Sequence, residues 1–208
     1  LADKKTLPYT SWLFNVVVVE DAEGDTLPYD LDDIWRVVRP SGGCLWDLQQ
    51  MRPTYREPLE GAGQWTHLYG NFGNTACSGD QLVQGALVPQ WFGLPGPQGM
   101  IDRHHRTAAP LYRDGTLYIP GNEKIFGVDA YNGTVRFETA IPGSRRIGVL
   151  RDCGPMCAGK DGLFVAVGQQ CILLSALDGK QRHHFVVPPA EDNQAREWGL
   201  VACDDTLL

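Results

Sequence analysis

The chain has 208 residues, of which 43% are hydrophobic and 21% are charged, so it has enough apolar residues for a buried core and is not typical of a disordered protein. Its formal net charge of −7 argues against a nucleic-acid partner, because a polyanion binds to cationic surfaces. No run of residues approaches the roughly 20 apolar residues that a membrane helix needs, so we expect no membrane span in this chain.

The first 50 residues indicate a small α/β unit. The run FNVVVV at residues 14–19, β-branched from Val16 on, predicts a strand covered on both faces by helices. In residues 29–38 the apolar side chains fall on one helical face, which predicts a short amphipathic helix. A Pro-Ser-Gly-Gly turn follows at residues 40–43, and residues 44–48 predict a further strand. Strand, helix and strand in this order are typical of half of a Rossmann-like, doubly wound sheet.

Two stretches of this unit, LPYTSWLFNVVVV and LDDIWRVVRPSGGCLWDL, resemble the latter part of class I S-adenosylmethionine-dependent methyltransferases. In that family a helix ends in a Pro-Gly-Gly turn before the next strand. The sequence departs from the family pattern at Asn15, where an acidic residue is usual, and at Ser41, where the first glycine of the turn is usual. The resemblance implies the C-terminal part of such a domain, whose cofactor-binding Gly-rich loop lies upstream in the family.

The chain is predicted to have three parts. Residues 51–63 are rich in proline, glycine and charge, which predicts a linker. Residues 1–50 precede it as the C-terminal part of a methyltransferase-like domain, and residues 64–208 follow it as a β-rich part. The chain begins with Leu1 rather than methionine and stops in what reads as the opening of a strand. Both ends therefore predict a piece of a longer protein.

The β-rich part repeats with a period of 46 residues. Leu117 recurs as Leu163, and Pro142 recurs as Pro188, each 46 residues later. A period of this size is typical of either a four-stranded propeller blade or a pair of helices. The local pattern favours the blade, because Asn-Gly at residues 132–133 and Asp-Gly at residues 178–179 are strong signals for β-hairpins.

Each repeat predicts three strands separated by turns, at residues 115–119, 124–128 and 135–138, and again at 162–166, 171–174 and 181–185. Residues 90–93 predict the closing strand of an earlier unit, and residues 199–208 predict the opening of a later one. A propeller ring needs about four to eight blades. The predicted fold is therefore mainly β, an incomplete β-propeller of about two four-stranded blades plus partial ones, with a small α/β remnant at the N-terminus.

The segments GVDAYNGTVRF, LLSALDGKQRHHF and GQWTHLYGNFGNTACSG resemble the pyrroloquinoline-quinone-like, or quinoprotein-type, β-propeller repeats. The resemblance covers residues 64–208. Where the family closes a blade with tryptophan, this sequence has Phe137 and Phe185, which weakens the docking between blades that the family uses. A quinone-dependent dehydrogenase of this family would hold calcium through oxygen ligands, use an aspartate base and often carry two adjacent cysteines, and no Cys-Cys pair occurs here.

The cysteines leave three interpretations open. Their spacing is irregular, and only Cys153 and Cys157 lie close together in the sequence. Buried or free thiols, a disulfide and a metal site are the alternatives. A zinc site of the usual kind would need a second ligand pair at short spacing, and the sequence has none. The six cysteines are Cys44, Cys77, Cys153, Cys157, Cys171 and Cys203.

The densest polar cluster is a candidate ligand-contacting loop at the propeller rim. Two adjacent histidines on a strand would point to opposite faces and could not chelate one metal easily. The alternative is a surface loop whose arginines and aspartate pair across blades. We assign no catalytic residue and no metal ligand. The cluster consists of Asp102, Arg103, His104, His105 and Arg106.

The leading functional hypothesis is a binding or assembly module that holds a protein or a small molecule on the propeller face, without a cofactor in this chain. The first alternative is a parent methyltransferase that uses S-adenosylmethionine and positions its substrate with the propeller. The second alternative is a quinone-dependent oxidoreductase with pyrroloquinoline quinone and calcium. The propeller resemblance also implies a periplasmic or cell-envelope location.

Overall fold

The computed structural model describes residues 6–20, 29–101, 108–145, 154–188 and 196–204. Within these residues the chain is mainly β, as predicted, with eleven strands in three sheets and one helix of seven residues. The sheets contain three, four and four strands. No helix of the described ranges has both the length and the apolar character that crossing a membrane requires.

The N-terminal sheet contains the predicted strand, helix and strand. β1 (Val16–Val19) and β2 (Cys44–Asp47) pair in parallel, and α1 (Leu31–Val37) lies between them in sequence. The helix buries Ile34 and Val37. The elements match the expectation, while their assignment to a Rossmann-like domain remains a prediction.

Two features of this sheet differ from the expectation. β1 is an edge strand in the order β1-β2-β3, and its Val16 and Val18 side chains are more than half exposed, so within the described residues the strand is not covered on both faces. The segment predicted as a linker contains β3 (Arg52–Tyr55), which pairs antiparallel with β2. Pro53 is compatible with β3 because a proline is tolerated in an edge strand, where its missing N–H leaves no gap in the ladder.

The other two sheets are four-stranded antiparallel meanders, which confirms the predicted blades. The first blade runs in the order β4-β5-β6-β7 and the second in the order β8-β9-β10-β11. β5, β6 and β7 begin 46 residues before β9, β10 and β11 respectively. The strands are β4 (Leu111–Arg113), β5 (Thr116–Gly121), β6 (Lys124–Asp129), β7 (Val135–Ala140), β8 (Met156–Gly159), β9 (Gly162–Val167), β10 (Gln170–Ser175) and β11 (Gln181–Val186).

The irregularities of the first blade recur in the second. The register between β6 and β7 shifts after Gly127, and the register between β10 and β11 shifts after Leu173, its equivalent 46 residues later. The hairpin bonds also recur, from Gly133 N to the Asp129 carbonyl at 2.9 Å and from Gly179 N to the Ser175 carbonyl at 3.0 Å. The two blades are therefore copies of one unit at the level of individual hydrogen bonds.

The two predicted partial units are not strands in the described residues. Residues 90–93 and 199–204 have no ladder partner there, and a strand needs one to satisfy its backbone groups. Both segments are nevertheless tied to the blades. The Trp91 Nε1 donates to the Ala130 carbonyl at 2.9 Å, and Val201 N donates to the Gly154 carbonyl at 2.9 Å.

Phe137 forms the joint between the two blades. Its ring packs on Gly127 of its own sheet and on Gly179 in the hairpin of the second blade, and a Cβ atom at either glycine would overlap the ring. Trp91 lies 46 residues before Phe137 and packs in the same way on Gly133, the equivalent of Gly179. A large aromatic ring therefore covers the hairpin glycine of each blade.

The register corrects one equivalence made from sequence. Gly127 pairs with Phe137, and its equivalent Leu173 pairs with His183, so His183 rather than Phe185 holds the joint position of the second blade. His183 is exposed. The sequence predicted weak aromatic docking at both blades. That expectation applies to the second blade, where His183 of β11 is exposed, but not to the first blade, whose Phe137 packs on the hairpin of the second.

Replacing Thr139 with valine should lower the free energy of unfolding by about 1 kcal/mol, because the Thr139 hydroxyl donates to the Gly179 carbonyl at 2.9 Å across the blade joint. Urea denaturation of the full chain measures the change. Thr54→Val is the control, since Thr54 is an exposed strand threonine. Equal losses in both variants would contradict a specific role of the Thr139 bond.

Candidate functional site

The predicted ligand loop, Asp102, Arg103, His104, His105 and Arg106, lies outside the described residues, and its role remains a prediction. The described residues contain a different candidate at one rim of the blades. Here the β4–β5 turn and the β6–β7 hairpin lie together, because Thr116 at the start of β5 pairs with Asp129 at the end of β6.

A cationic cleft opens at this rim between the two blades. Arg113, Arg136 and Lys160 line it, and Asp114 is the one acidic residue among its lining residues. The Asp114 carboxylate accepts from Gln64 Nε2 at 3.0 Å and pairs with Arg113 Nε at 3.3 Å. Counting Asp129, which pairs with Arg136 from behind the lining, the cleft still has more cationic than anionic side chains, although the chain carries a net charge of −7.

Buried Asp129 fixes one wall of the cleft. Its side chain is only 1% exposed, and its Oδ2 pairs with Arg136 Nη2 at 2.6 Å and with Arg39 Nε at 2.9 Å. Its Oδ1 accepts from Tyr131 N at 3.0 Å. The other arm of Arg136, Nη1, donates to the Thr116 hydroxyl at 2.6 Å. A buried carboxylate is tolerated when it is paired and hydrogen-bonded in this way, and the guanidinium of Arg136 is held in one orientation.

The N-terminal unit supplies part of this network. Arg39 joins Asp129 from the turn after α1, and burial lowers the pKa of its guanidinium while the adjacent Asp129 opposes that effect. Asn15 accepts from Arg39 Nε at 2.8 Å and from Asn132 Nδ2 at 2.9 Å. Ser41 packs on Gly115 in the β4–β5 turn. Both residues that depart from the methyltransferase pattern, Asn15 and Ser41, thus contact the first blade.

Tyr118 lines the buried part of the cleft. Its side chain is 2% exposed, and burial raises the pKa of its hydroxyl to about 12. Burial therefore widens the pH range over which this hydroxyl stays protonated. Burial also raises the pKa of Tyr112, whose hydroxyl lies 3.2 Å from that of Tyr131.

We expect the chain to lose stability as pH rises above 10. Folding raises the pKa of Tyr118 from 10.0 to about 12. The contribution of this hydroxyl to the free energy of unfolding is therefore complete below pH 10 and is lost as the pH rises through 12. Each pKa unit corresponds to about 1.4 kcal/mol. Denaturation at pH 8 and at pH 11.5 measures the loss, which should be smaller in Tyr118→Phe. An unchanged loss in that variant would contradict the assignment.

Sequence reasoning missed this cleft because its residues are scattered over both blades. The sequence did contain one signal. Asp129 and Arg136 of the first blade recur 46 residues later as Ser175 and Arg182 of the second blade. In the second blade Arg182 Nη2 donates to the Ser175 hydroxyl at 3.3 Å. The repeat thus conserves the geometry of the pair but carries a carboxylate only in the first blade.

Comparison with known proteins gives no match to a family model and no match to a curated protein. Among solved structures, the chain is similar to quinohemoprotein alcohol dehydrogenase ADHIIG from Pseudomonas putida HK5, with 16% identity and a TM-score of 0.43 over 62% of this chain and 20% of that one. The quinohemoprotein alcohol dehydrogenase from Comamonas testosteroni gives 16% identity and a TM-score of 0.40 over 60% and 19%.

BamB from Moraxella catarrhalis is a further similar structure, with 14% identity and a TM-score of 0.30 over 39% of this chain and 23% of that one. The chain spans about a fifth of the length of these proteins. At such identities and TM-scores, the similarities assign no activity to this chain.

Proposed function

We propose that this chain is part of a propeller-type binding module, and that its inter-blade cleft binds a small molecule through a carboxylate or phosphate group. The observation that carries the proposal is the convergence of Arg113, Arg136 and Lys160 on one cleft, where they outnumber the two nearby carboxylates, Asp114 and Asp129. Cationic side chains on rigid strands form a ready site for an anion, because little has to be reorganised on binding.

The geometry of the cleft favours a planar or tetrahedral oxyanion. An arginine presents several donors in a fixed fork that matches carboxylate and phosphate oxygens. Arg136 is held by Asp129 and Thr116, so its orientation is set before a ligand arrives.

The experiment is titration calorimetry of the full chain with citrate and with pyrophosphate as probes. Lys160→Gln and Arg113→Gln should weaken binding at least tenfold, and added salt should weaken it further. Lys180→Gln is the matched control, since Lys180 is an exposed cation in the hairpin of the second blade. Absence of heat with both probes, or equal affinity in all three variants, would overturn the proposal.

The catalytic alternatives are supported only by the resemblances in the sequence. A parent methyltransferase would use S-adenosylmethionine, and its Gly-rich loop would have to come from outside these 208 residues. A quinone-dependent oxidoreductase would need calcium ligands and a redox partner for the quinone, and the sequence lacks adjacent cysteines. A periplasmic or cell-envelope location is part of the same set of proposals.

A further inference from the structure

A second polar cluster lies in the core of the second blade, on the face turned away from the first blade. Met156 and Ala158 of β8 pack in the core between the blades, while Cys157 between them packs with Val201 and Cys203. This alternation is expected of a strand. The imidazole of His67 reaches the same place, and the ligand atoms of His67, Cys157 and Cys203 all lie within 4.8 Å of one another.

Three separate segments bring these side chains together. Cys157 lies in the middle of β8, and Cys203 follows it after one repeat period of 46 residues. His67 follows a short segment that joins the blades: Trp65 pairs with Tyr112 of β4, and the Thr66 carbonyl accepts from Ala158 N at 2.8 Å. The cluster therefore connects the start of the β-rich part, the second blade and residues 196–204.

The imidazole of His67 is in the form that a metal ligand requires. Its Nε2 accepts the Cys203 N–H at 3.1 Å, so the lone pair is on Nε2. The proton is then on Nδ1, which lies 2.8 Å from the Thr66 hydroxyl and donates to it. Such a second contact fixes the ring orientation and tautomer of ligating histidines.

The two sulfur atoms are close enough to share an ion. The Sγ atoms of Cys157 and Cys203 lie 3.3 Å apart. Two thiolates on a tetrahedral zinc ion, each about 2.3 Å from it, are separated by roughly 3.8 Å, so a shift of about half an ångström is enough. Coordination by Nε2 replaces its hydrogen bond with the Cys203 N–H, while the contact between Nδ1 and Thr66 is kept.

The surroundings favour a soft divalent ion over calcium or magnesium. Cys157 is fully buried, and His67 and Cys203 are 6% and 5% exposed. Two thiolates balance the charge of one divalent cation, and a neutral imidazole adds none, so the buried assembly has no net charge. No carboxylate belongs to the cluster in the described residues, and sulfur and imidazole ligands are typical of zinc.

We propose that His67, Cys157 and Cys203 form a structural binding site for a divalent ion of the zinc class. The ion holds residues 64–67 and residues 196–204 against the second blade. A tetrahedral ion takes one more ligand, and a neutral fourth ligand would keep the assembly without net charge. The site lies on the other face of β8 from the inter-blade core and goes beyond the proposed ligand binding in the cleft.

The test uses cobalt(II) as a spectroscopic probe on the reduced full chain. We expect one cobalt ion per chain, a thiolate-to-cobalt charge-transfer band, the visible bands of tetrahedral cobalt, and loss of these bands on adding zinc(II). Cys157→Ser, Cys203→Ser and His67→Gln should each weaken binding at least tenfold. Cys44→Ser, buried in the N-terminal sheet, and exposed Cys77→Ser are the matched controls and should bind like the original chain.

A second readout covers variants that fold poorly. Zinc should raise the melting temperature of the original chain, and a chelator should reverse this rise. The proposal is overturned if no charge-transfer band forms, if Cys157→Ser and Cys77→Ser bind cobalt equally, or if zinc leaves the melting temperature unchanged. It is also overturned if mass spectrometry finds Cys157 and Cys203 joined as a disulfide in the chain purified without added oxidant.

Discussion

Replacing Asp129 with alanine is expected to lower the free energy of unfolding by about 3–5 kcal/mol, because it leaves two partly buried guanidinium groups without their counter-ion. Arg39 and Arg136 both pair with the Asp129 carboxylate, and their side chains are 14% and 20% exposed. The loss also frees the hairpin N–H of Tyr131. Urea denaturation of the full chain, followed by tryptophan fluorescence, measures the change.

Two variants separate the ion pairs from the hairpin. Asp129→Asn keeps an oxygen for the Tyr131 N–H but removes the negative charge, so its loss should be smaller than that of the alanine variant. Ser175→Ala is the matched control at the equivalent position of the second blade, where only hydrogen bonds are lost, at a cost of about 1 kcal/mol. If Asp129→Ala cost no more than Ser175→Ala, the charge network would not stabilise the rim.

Truncating Phe137 to alanine should destabilise the chain by a similar amount, about 3–5 kcal/mol, through loss of apolar contact and the cavity that remains. Its ring is 8% exposed and packs on Gly127 and on Gly179 across the joint. Because both glycines lack a side chain, little can move in to fill the space. The same denaturation measurement applies, and the hairpin of the second blade should also exchange its amide hydrogens faster.

The control for Phe137 is His183→Ala at the same position of the second blade. His183 is exposed, so its truncation should change the free energy of unfolding by less than about 0.5 kcal/mol. Comparable losses at Phe137 and His183 would mean that the ring of Phe137 contributes no more than a surface side chain.

The blades could be predicted because their signals are local. The hairpin at residues 132–133 and its copy at residues 178–179 fix where two strands turn, and the period of 46 residues fixes where the next copy begins. β4 was not located in advance, because its three residues are too short to show a periodicity. β3 was missed for a similar reason, since Pro53 and two flanking charges read as a loop.

The two candidate clusters could not be predicted by the same means. Arg136 and Lys160 line the same cleft only because neighbouring blades pack side by side. No local sequence pattern encodes that packing. His67 is 136 residues from Cys203, so a search for closely spaced metal ligands does not find them. The separation of Cys157 from Cys203 by one repeat period is a signal that such a search could use.

The packing of Trp91 on Gly133 has a consequence for how a blade hairpin can be covered. Trp91 covers the hairpin of the first blade although it belongs to no strand in the described residues. The Trp91 ring therefore covers a hairpin glycine from outside a sheet, whereas Phe137 covers the equivalent glycine from within one. A bulky ring placed 46 residues before the next one can therefore cover a hairpin glycine whether or not the residues around that ring form a strand.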